Sequence, residues 1–123
     1  MDARKTLAMA GALIALATVL GAFGAHALKG QLSVDKLQVY ETAVRYHFLH
    51  SLGLLAIGVL LRSMDVEGLR WSAILVLTGV ILFSGSLYLL TFGAPRLLGV
   101  VTPIGGLALI AGWTLFAVTV LRQ

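Results

Sequence analysis

The sequence predicts an all-α integral membrane protein, a four-helix bundle with short loops. Of its 123 residues, 59% are hydrophobic and 11% are charged, and the mean hydropathy is +1.00. Soluble domains do not have this composition. The long segments are apolar on every face, whereas a soluble helix keeps a polar face for water. The whole chain is therefore interpreted as a single transmembrane domain.

Four apolar stretches predict the membrane spans, at residues 6–27, 42–61, 71–92 and 102–121. At 1.5 Å per residue each covers about 30 Å, the thickness of a hydrocarbon core. A signal peptide is an alternative for the first stretch, because Ala25-His26-Ala27 resembles a cleavage site. Its apolar run exceeds the roughly 7–15 residues of a signal-peptide core, so we favour a span.

The segments that flank the spans carry recognisable helix signals. Ser33 and Asp35 predict a helix start, which gives an interfacial helical extension that runs into the second span. Trp71 begins the third span at the membrane boundary, where its ring and N–H suit the headgroups. Pro95 ends the third span, and Pro103 lies in the first turn of the fourth, where a missing N–H costs little.

The basic residues predict the orientation. Five lie at the end that carries both termini, namely Arg4, Lys5, Arg62, Arg70 and Arg122. Three lie at the opposite end, namely Lys29, Lys36 and Arg96. Basic residues favour the cytoplasmic side, so both termini are predicted to be cytoplasmic. The difference is small, and dual insertion as an antiparallel dimer is the alternative. We call the half of the bundle with the termini inner and the other half outer.

Small residues are predicted to mediate helix packing, because lipid gives no hydrophobic drive for helix association and close backbone approach must replace it. Pairs four residues apart occur at Ala8–Ala12 and Gly11–Ala15. The glycines predicted at helix contacts are Gly11, Gly21, Gly53, Gly85, Gly105, Gly106 and Gly112.

Polar residues within the spans share one depth. Counting from Arg62 at the inner boundary, His50 lies about 3 Å and His47 about 8 Å outward of the midplane. The same count from Trp71 places the polar residues of the third span in this band. The inner half is predicted to be plain apolar packing. The candidate polar pocket in the outer half comprises His26, Tyr46, His47, His50, Ser84, Ser86 and Tyr88.

Arg45 is the one basic residue inside a span. Glu41 precedes it by four residues, in the favourable order for an ion pair along a helix. The long stem of Arg45 also allows its charge to reach the membrane boundary. We therefore interpret Arg45 as an anchor or as the partner of Glu41.

Three interpretations of the histidines stay open. They form structural hydrogen bonds between helices, they line an outward-opening pocket for a lipid headgroup, quinone or small molecule, or one of His26, His47 or His50 binds haem or a metal. His-x-x-His without a nearby carboxylate or cysteine is a weak metal signal, so no metal site and no cofactor are predicted. No catalytic triad, phosphate loop or carboxylate pair is recognisable, which predicts a protein that is not an enzyme.

The favoured hypothesis is a protein that binds or stabilises a membrane lipid or a membrane partner, including a second copy of itself. A small transporter or channel with an outward-facing pocket around His50, Ser84 and Tyr88 is the alternative. Proton coupling through a carboxylate is disfavoured because no Asp or Glu lies inside a span. The basic residues are spread singly, so nucleic acid is not an expected partner.

Four motifs in order resemble domain-of-unknown-function family 423. They are Gly21-Ala22-Phe23-Gly24-Ala25-His26, Thr42-Ala43-Val44-Arg45-Tyr46 with His50, Phe83-Ser84-Gly85-Ser86-Leu87-Tyr88, and Thr102-Pro103-Ile104-Gly105-Gly106 with Gly112-Trp113. The family comprises small bacterial inner-membrane proteins of the YgdD and YwdK kind, with a eukaryotic relative, transmembrane protein 256. The resemblance implies a four-span, multi-pass protein of the bacterial inner membrane, with no established activity, substrate or cofactor. His47 departs from the family pattern, in which Gln is frequent at this position.

Overall fold

A computed structural model describes all 123 residues as four long helices joined by short connections. All four helices are long and apolar enough to cross a membrane, which confirms the predicted all-α membrane fold. The elements in order are α1 (Ala3–Phe23) with a π-helical turn (Gly24–Leu28), α2 (Val34–Leu61), α3 (Glu67–Thr91), a 3₁₀ turn (Arg96–Val100) and α4 (Val101–Leu121).

Side-chain caps set the starts of the first two helices. The Asp2 carboxylate accepts a hydrogen bond from the Lys5 backbone N–H at 2.8 Å, so α1 starts at Ala3 rather than at Thr6. The Ser33 hydroxyl accepts from the Lys36 backbone N–H at 3.2 Å. The predicted interfacial extension and the second span are accordingly one continuous helix.

The C-terminal end of α1 widens into a π-helical turn beside Tyr40. The Tyr40 hydroxyl donates a hydrogen bond to the Leu20 carbonyl, which also accepts one from the backbone N–H of Gly24. A Cβ at Gly24 would clash with the Tyr40 ring. The phenol therefore shares the Leu20 carbonyl with the helix, and the missing side chain at Gly24 makes room for the Tyr40 ring beside the irregular turn.

The α2–α3 connection contains the one ion pair of the protein. The Arg70 guanidinium donates two hydrogen bonds to the Asp65 carboxylate, at 2.7 and 2.6 Å. These bonds hold the pKa of Asp65 below its usual range. A lowered pKa in the folded state adds stability above the unfolded-state pKa, and this is lost as the pH falls through the folded-state pKa. Because both groups are exposed, the effect is small.

Each helix packs extensively against the next one in sequence, so α1 and α4 form the two edges of the bundle. At Gly58, near the end of α2, a Cβ would lie within 3 Å of Leu7 near the start of α1. At Gly68, near the start of α3, a Cβ would similarly meet Thr119 near the end of α4. Both termini therefore lie at the same end of the bundle.

The apolar core is built mainly from α2 and α3 and lies largely in the inner half. Its buried members are Ala10, Leu54, Ile57, Leu61, Leu69, Ala73, Val76, Val80 and Leu109. The inner half is not purely apolar, which corrects the prediction. The buried Ser72 hydroxyl donates to the Gly112 carbonyl at 2.8 Å and joins α3 to α4. The acceptor is a backbone carbonyl, which every residue has, so the sequence does not show where this hydroxyl finds its partner.

Five of the seven predicted glycines face another helix. Cβ atoms at Gly53, Gly105 and Gly112 would each lie closer than 3.0 Å to atoms of a neighbouring helix. At Gly21 and Gly106 the nearest atoms are at 3.5 and 3.8 Å, which is ordinary contact. The first three therefore permit a closer approach than any other residue would.

The packing prediction is wrong for Gly11 and Gly85, because a Cβ added at either position would meet no atom of another helix within 4 Å. Gly11 and the neighbouring Ala8–Ala12 pair face away from the core, and α1 packs through Ala10 and Ala17 instead. Gly85 faces an open groove. Because α1 is apolar on all faces, its sequence does not reveal which face meets α2.

Candidate ligand sites in the outer half

His47 and Tyr88 join α2 to α3. His47 is 3% exposed, and its Nδ1 lies 2.9 Å from the Tyr88 hydroxyl. Four residues before Tyr88, the buried Ser84 hydroxyl donates to the Ala43 carbonyl at 2.8 Å. These contacts agree with the shared depth of the polar residues, and they fix the register of the two helices.

Two polar atoms on this face of α2 are enclosed but have no hydrogen-bond partner. They are Nε2 of His47 and the hydroxyl oxygen of Ser51. The two residues are four apart and therefore neighbours on one helix face. Burial of an unpaired polar group is costly, so the His47 face is a weak point of the packing.

A groove of about 190 Å³ opens between α1 and α3 with His47 at its base, and we call it the α1-side groove. Its lining is mostly aliphatic and comes from Leu13, Leu16, Leu20, His47, Val80, Ile81, Ser84, Gly85 and Tyr88. Ser84 and Tyr88 already use their hydroxyls in helix contacts. The groove therefore offers few free polar groups.

His50 has a different partner on a different helix. The Trp113 indole N–H of α4 donates to His50 Nδ1 at 2.9 Å. The imidazole stacks on Tyr46, with ring centroids 5.7 Å apart, and the ring centroids of Tyr46 and Phe83 are 4.7 Å apart. His50 is thus held in an aromatic cluster formed by α2, α3 and α4.

This cluster lines a larger groove, of about 520 Å³, which we call the α4-side groove. Its residues are Tyr46, His50, Phe83, Gly106, Leu109, Ile110, Trp113 and Thr114. The absence of a side chain at Gly106 keeps one wall open. Its size falls within the range of small-molecule sites.

The predicted single polar pocket is therefore divided, which corrects the sequence interpretation. His50 faces the α4-side groove, whereas Ser84 and Tyr88 face the α1-side groove. Ser86 belongs to neither, because it bonds to Thr102 of α4 and to the Phe83 carbonyl. A transport pocket shared by His50, Ser84 and Tyr88 is not formed.

His26 is exposed on the π-helical turn, apart from the aromatic cluster and from both grooves. His47 and His50 use their Nδ1 atoms for different partners. No group of three His, Asp or Glu side chains is gathered that could hold a metal ion. The structure thus does not gather the three histidines at one site.

A third cavity lies near the outer membrane boundary, between the end of α1 and the start of α2. This outer cleft has a volume of about 290 Å³ and is lined by Gly21, Gly24, Ala25, Lys29, Leu37, Tyr40, Glu41, Val44 and Arg45. The predicted Glu41–Arg45 ion pair is not formed, because Asp65–Arg70 is the only pair within 4 Å. Glu41 and Arg45 instead both line the cleft.

Comparison with known proteins gives the family. The sequence profile described as "Protein of unknown function (DUF423)" matches residues 20–106, which include every residue of the outer cleft and the α2 and α3 members of the aromatic cluster, but not Trp113. This chain belongs to the DUF423 family.

Similar proteins are named as UPF0382 membrane proteins. The chain is 43% identical to a UPF0382 membrane protein of Staphylococcus haemolyticus, over 96% of this chain and 97% of the relative. It is 39% identical to UPF0382 membrane protein YwdK of Bacillus subtilis, over 96% of this chain and 98% of that protein. It is 37% identical to UPF0382 inner membrane protein YgdD of Escherichia coli K12, over 84% of this chain and 79% of that protein. No solved structure matches the chain.

One site residue of this DUF423 protein was missed from the sequence, namely Trp113. Counting back from Arg122 places Trp113 within about 2 Å of the midplane, close to the depth of His50. A tryptophan at that depth needs an acceptor for its N–H, and His50 is the nearest candidate by depth. The residue count that placed His47 and Tyr88 at similar depths could therefore also have paired Trp113 with His50.

Proposed function

We propose that the protein is a non-enzymatic, multi-pass protein of the bacterial inner membrane that binds a phospholipid headgroup in the outer cleft. The observation that supports it is Arg45, a guanidinium inside a span with no carboxylate within 4 Å. Its Cα lies about 10 Å outward of the midplane by residue count. A charge at this depth needs a partner, and the protein does not supply one.

A lipid phosphate satisfies this requirement. The stem of Arg45 is long enough to carry the guanidinium toward the boundary, where phosphates lie. Guanidinium groups bind phosphate through two parallel hydrogen bonds. Lys29 lines the same cleft and adds a second positive charge.

Glu41 indicates which headgroup fits. Its carboxylate repels a purely anionic headgroup but attracts an ammonium group. In a headgroup with a phosphate and an ammonium, the phosphate pairs with Arg45 and Lys29 and the ammonium pairs with Glu41. Phosphatidylethanolamine has this chemistry, and its primary ammonium also donates hydrogen bonds. We therefore assign phosphatidylethanolamine as the ligand.

Native mass spectrometry tests the proposal. Protein is released from micelles that contain equal amounts of phosphatidylethanolamine, phosphatidylglycerol and phosphatidylcholine. The wild-type chain is expected to retain phosphatidylethanolamine, and Arg45→Gln to lose it. Glu41→Gln is expected to keep the phosphate contact but to shift the preference toward phosphatidylglycerol. Arg96→Gln is the matched control, a basic residue in the other outer connection and outside the cleft. Equal lipid retention in Arg45→Gln and Arg96→Gln contradicts the proposal.

The orientation belongs to the same proposal. With both termini in the cytoplasm, the outer cleft binds a lipid of the leaflet away from the cytoplasm. Association with a second copy or with another membrane protein stays a prediction. The glycines in closest contact pack against helices of the same chain, so they do not indicate a surface for a partner.

A further inference from the structure

The hydrogen bond from Trp113 determines the tautomer of His50. An indole N–H only donates, so His50 Nδ1 must accept. A neutral imidazole with an unprotonated Nδ1 carries its proton on Nε2. His50 therefore presents an N–H donor, whereas the protonation of His47 is left open by the hydroxyl of Tyr88, which both donates and accepts.

This donor lies on the α4-side groove. Nε2 of His47 is the one enclosed and unpaired histidine nitrogen, so Nε2 of His50 is not enclosed. His50 is a lining residue of the groove, and its Nδ1 is occupied by Trp113. The N–H of Nε2 is thus available to a molecule in the groove.

The depth of His50 limits what that molecule is. Helix α2 ends at Leu61 with Arg62 as its C-terminal cap, which supports Arg62 as the inner boundary. His50 then lies about 3 Å from the midplane. Acyl chains contain no hydrogen-bond acceptor, and phospholipid ester groups lie at the edge of the core, about 12 Å from His50 at the nearer side. An unpaired donor at this depth favours a lipid that carries an acceptor into the core.

The walls indicate the shape of that acceptor. Tyr46, Phe83 and Trp113 present aromatic rings, and Leu109 and Ile110 continue the groove as an aliphatic surface. A flat ring packs well between aromatic side chains, and an uncharged carbonyl avoids the cost of a carboxylate near the midplane. A hydrophobic tail fits the aliphatic part.

We propose that the α4-side groove binds the ring of a membrane quinone, with His50 Nε2–H donating to a quinone carbonyl. The ring lies beside Tyr46, Phe83 and Trp113, and Gly106 leaves the space that it occupies. This site is separate from the outer cleft and does not depend on the proposed phospholipid site.

The fluorescence of Trp113 reports binding directly. The chain has two tryptophans, and Trp71→Phe leaves Trp113 as the sole emitter. Trp71 is 53% exposed, so this background change is tolerated. The protein is placed in quinone-free nanodiscs and titrated with decylubiquinone. Saturable quenching is expected, in contrast to the linear quenching caused by random collisions. A decyl-substituted benzene without carbonyl oxygens does not quench tryptophan, so its affinity is measured by competition with decylubiquinone. It should bind about tenfold more weakly, which corresponds to one hydrogen bond.

Variants identify the site. Gly106→Leu places a side chain in the α4-side groove, and its Cβ makes only ordinary contact with Phe83 at 3.8 Å; its thermal unfolding is compared with that of the wild-type chain to confirm that it folds. It should abolish saturable quenching. The matched control is Gly85→Leu, which fills the α1-side groove and should leave quenching unchanged. His50→Ala removes the donor and should weaken binding at least about tenfold.

Three outcomes overturn the proposal: linear quenching in the wild-type background, equal quenching in the Gly106→Leu and Gly85→Leu variants, or equal affinity for the carbonyl-free analogue. Trp113 emission that changes with the ratio of protein to lipid, in the absence of saturable quenching, assigns the groove to a second copy of the chain and also overturns it.

Discussion

His47 and His50 show how much the immediate neighbours decide the role of a residue. They are three residues apart, which is a rotation of about 60° around the helix axis. From the sequence they share one face. In the structure this rotation directs His47 to Tyr88 and the α1-side groove, and His50 to Trp113 and the α4-side groove. Two identical side chains therefore have different hydrogen-bond states.

Tyr88 is predicted to stabilise the bundle through its hydroxyl. Tyr88→Phe leaves Nδ1 of the buried His47 without its hydrogen-bond partner. The free energy of unfolding should fall by about 1 kcal/mol. Reversible unfolding in bicelles measures this change.

Tyr46→Phe is the control for the Tyr88 variant. Tyr46 is 38% exposed and lies on the same depth band. Loss of its hydroxyl should alter the stability by less than about 0.5 kcal/mol. If the two variants unfold alike, the His47–Tyr88 hydrogen bond does not stabilise the fold.

At the scale of helices, α2 and α3 are the two inner elements, and α3 packs extensively against both α2 and α4. Its serines make hydrogen bonds to backbone carbonyls in two directions, from Ser84 to Ala43 of α2 and from Ser72 to Gly112 of α4. Hydroxyl-to-carbonyl bonds of this kind replace the hydrophobic drive that is missing in lipid. They position the two grooves on either side of the α2–α3 pair.

The α3–α4 interface is predicted to depend on Gly105. A Cβ there would clash with the Phe83 backbone nitrogen, so Gly105→Ala must push α4 away from α3. The free energy of unfolding should fall by about 1–3 kcal/mol. The adjacent Gly106→Ala meets only ordinary contacts and should change stability by less than about 0.5 kcal/mol. Thermal unfolding of the two alanine variants compares them, and a larger loss for Gly106→Ala would refute this packing.

At the scale of the whole molecule, both termini lie at one end of the bundle, and the orientation is predicted from the basic residues. The chain has no cysteine, so single cysteines can be introduced without a background signal. In intact cells, an impermeant maleimide should label Gln31→Cys, at an exposed position in the outer connection, but not Gln123→Cys. After the cells are opened, both should react. Labelling of both positions in intact cells supports dual insertion instead.

Much of the fold follows from the sequence, because the membrane imposes strong rules on length and polarity. Span number, the capped start of α2 at Ser33 and the first-turn position of Pro103 were all predicted and are confirmed. The family resemblance is confirmed as well. Glycine contacts were predicted less well: Gly53 and Gly105 lie at interfaces, whereas Gly85 faces a groove.

Local composition is enough to establish that this chain has four membrane spans and that its polar groups gather near one depth, since hydropathy and rise per residue depend on nothing else. Which polar groups meet depends instead on tertiary packing. The rotation of each helix about its axis pairs His50 with Trp113, separates it from Ser84 and leaves Arg45 without a carboxylate. Helices that are apolar on all sides do not specify that rotation in their own sequence; packing against neighbours does.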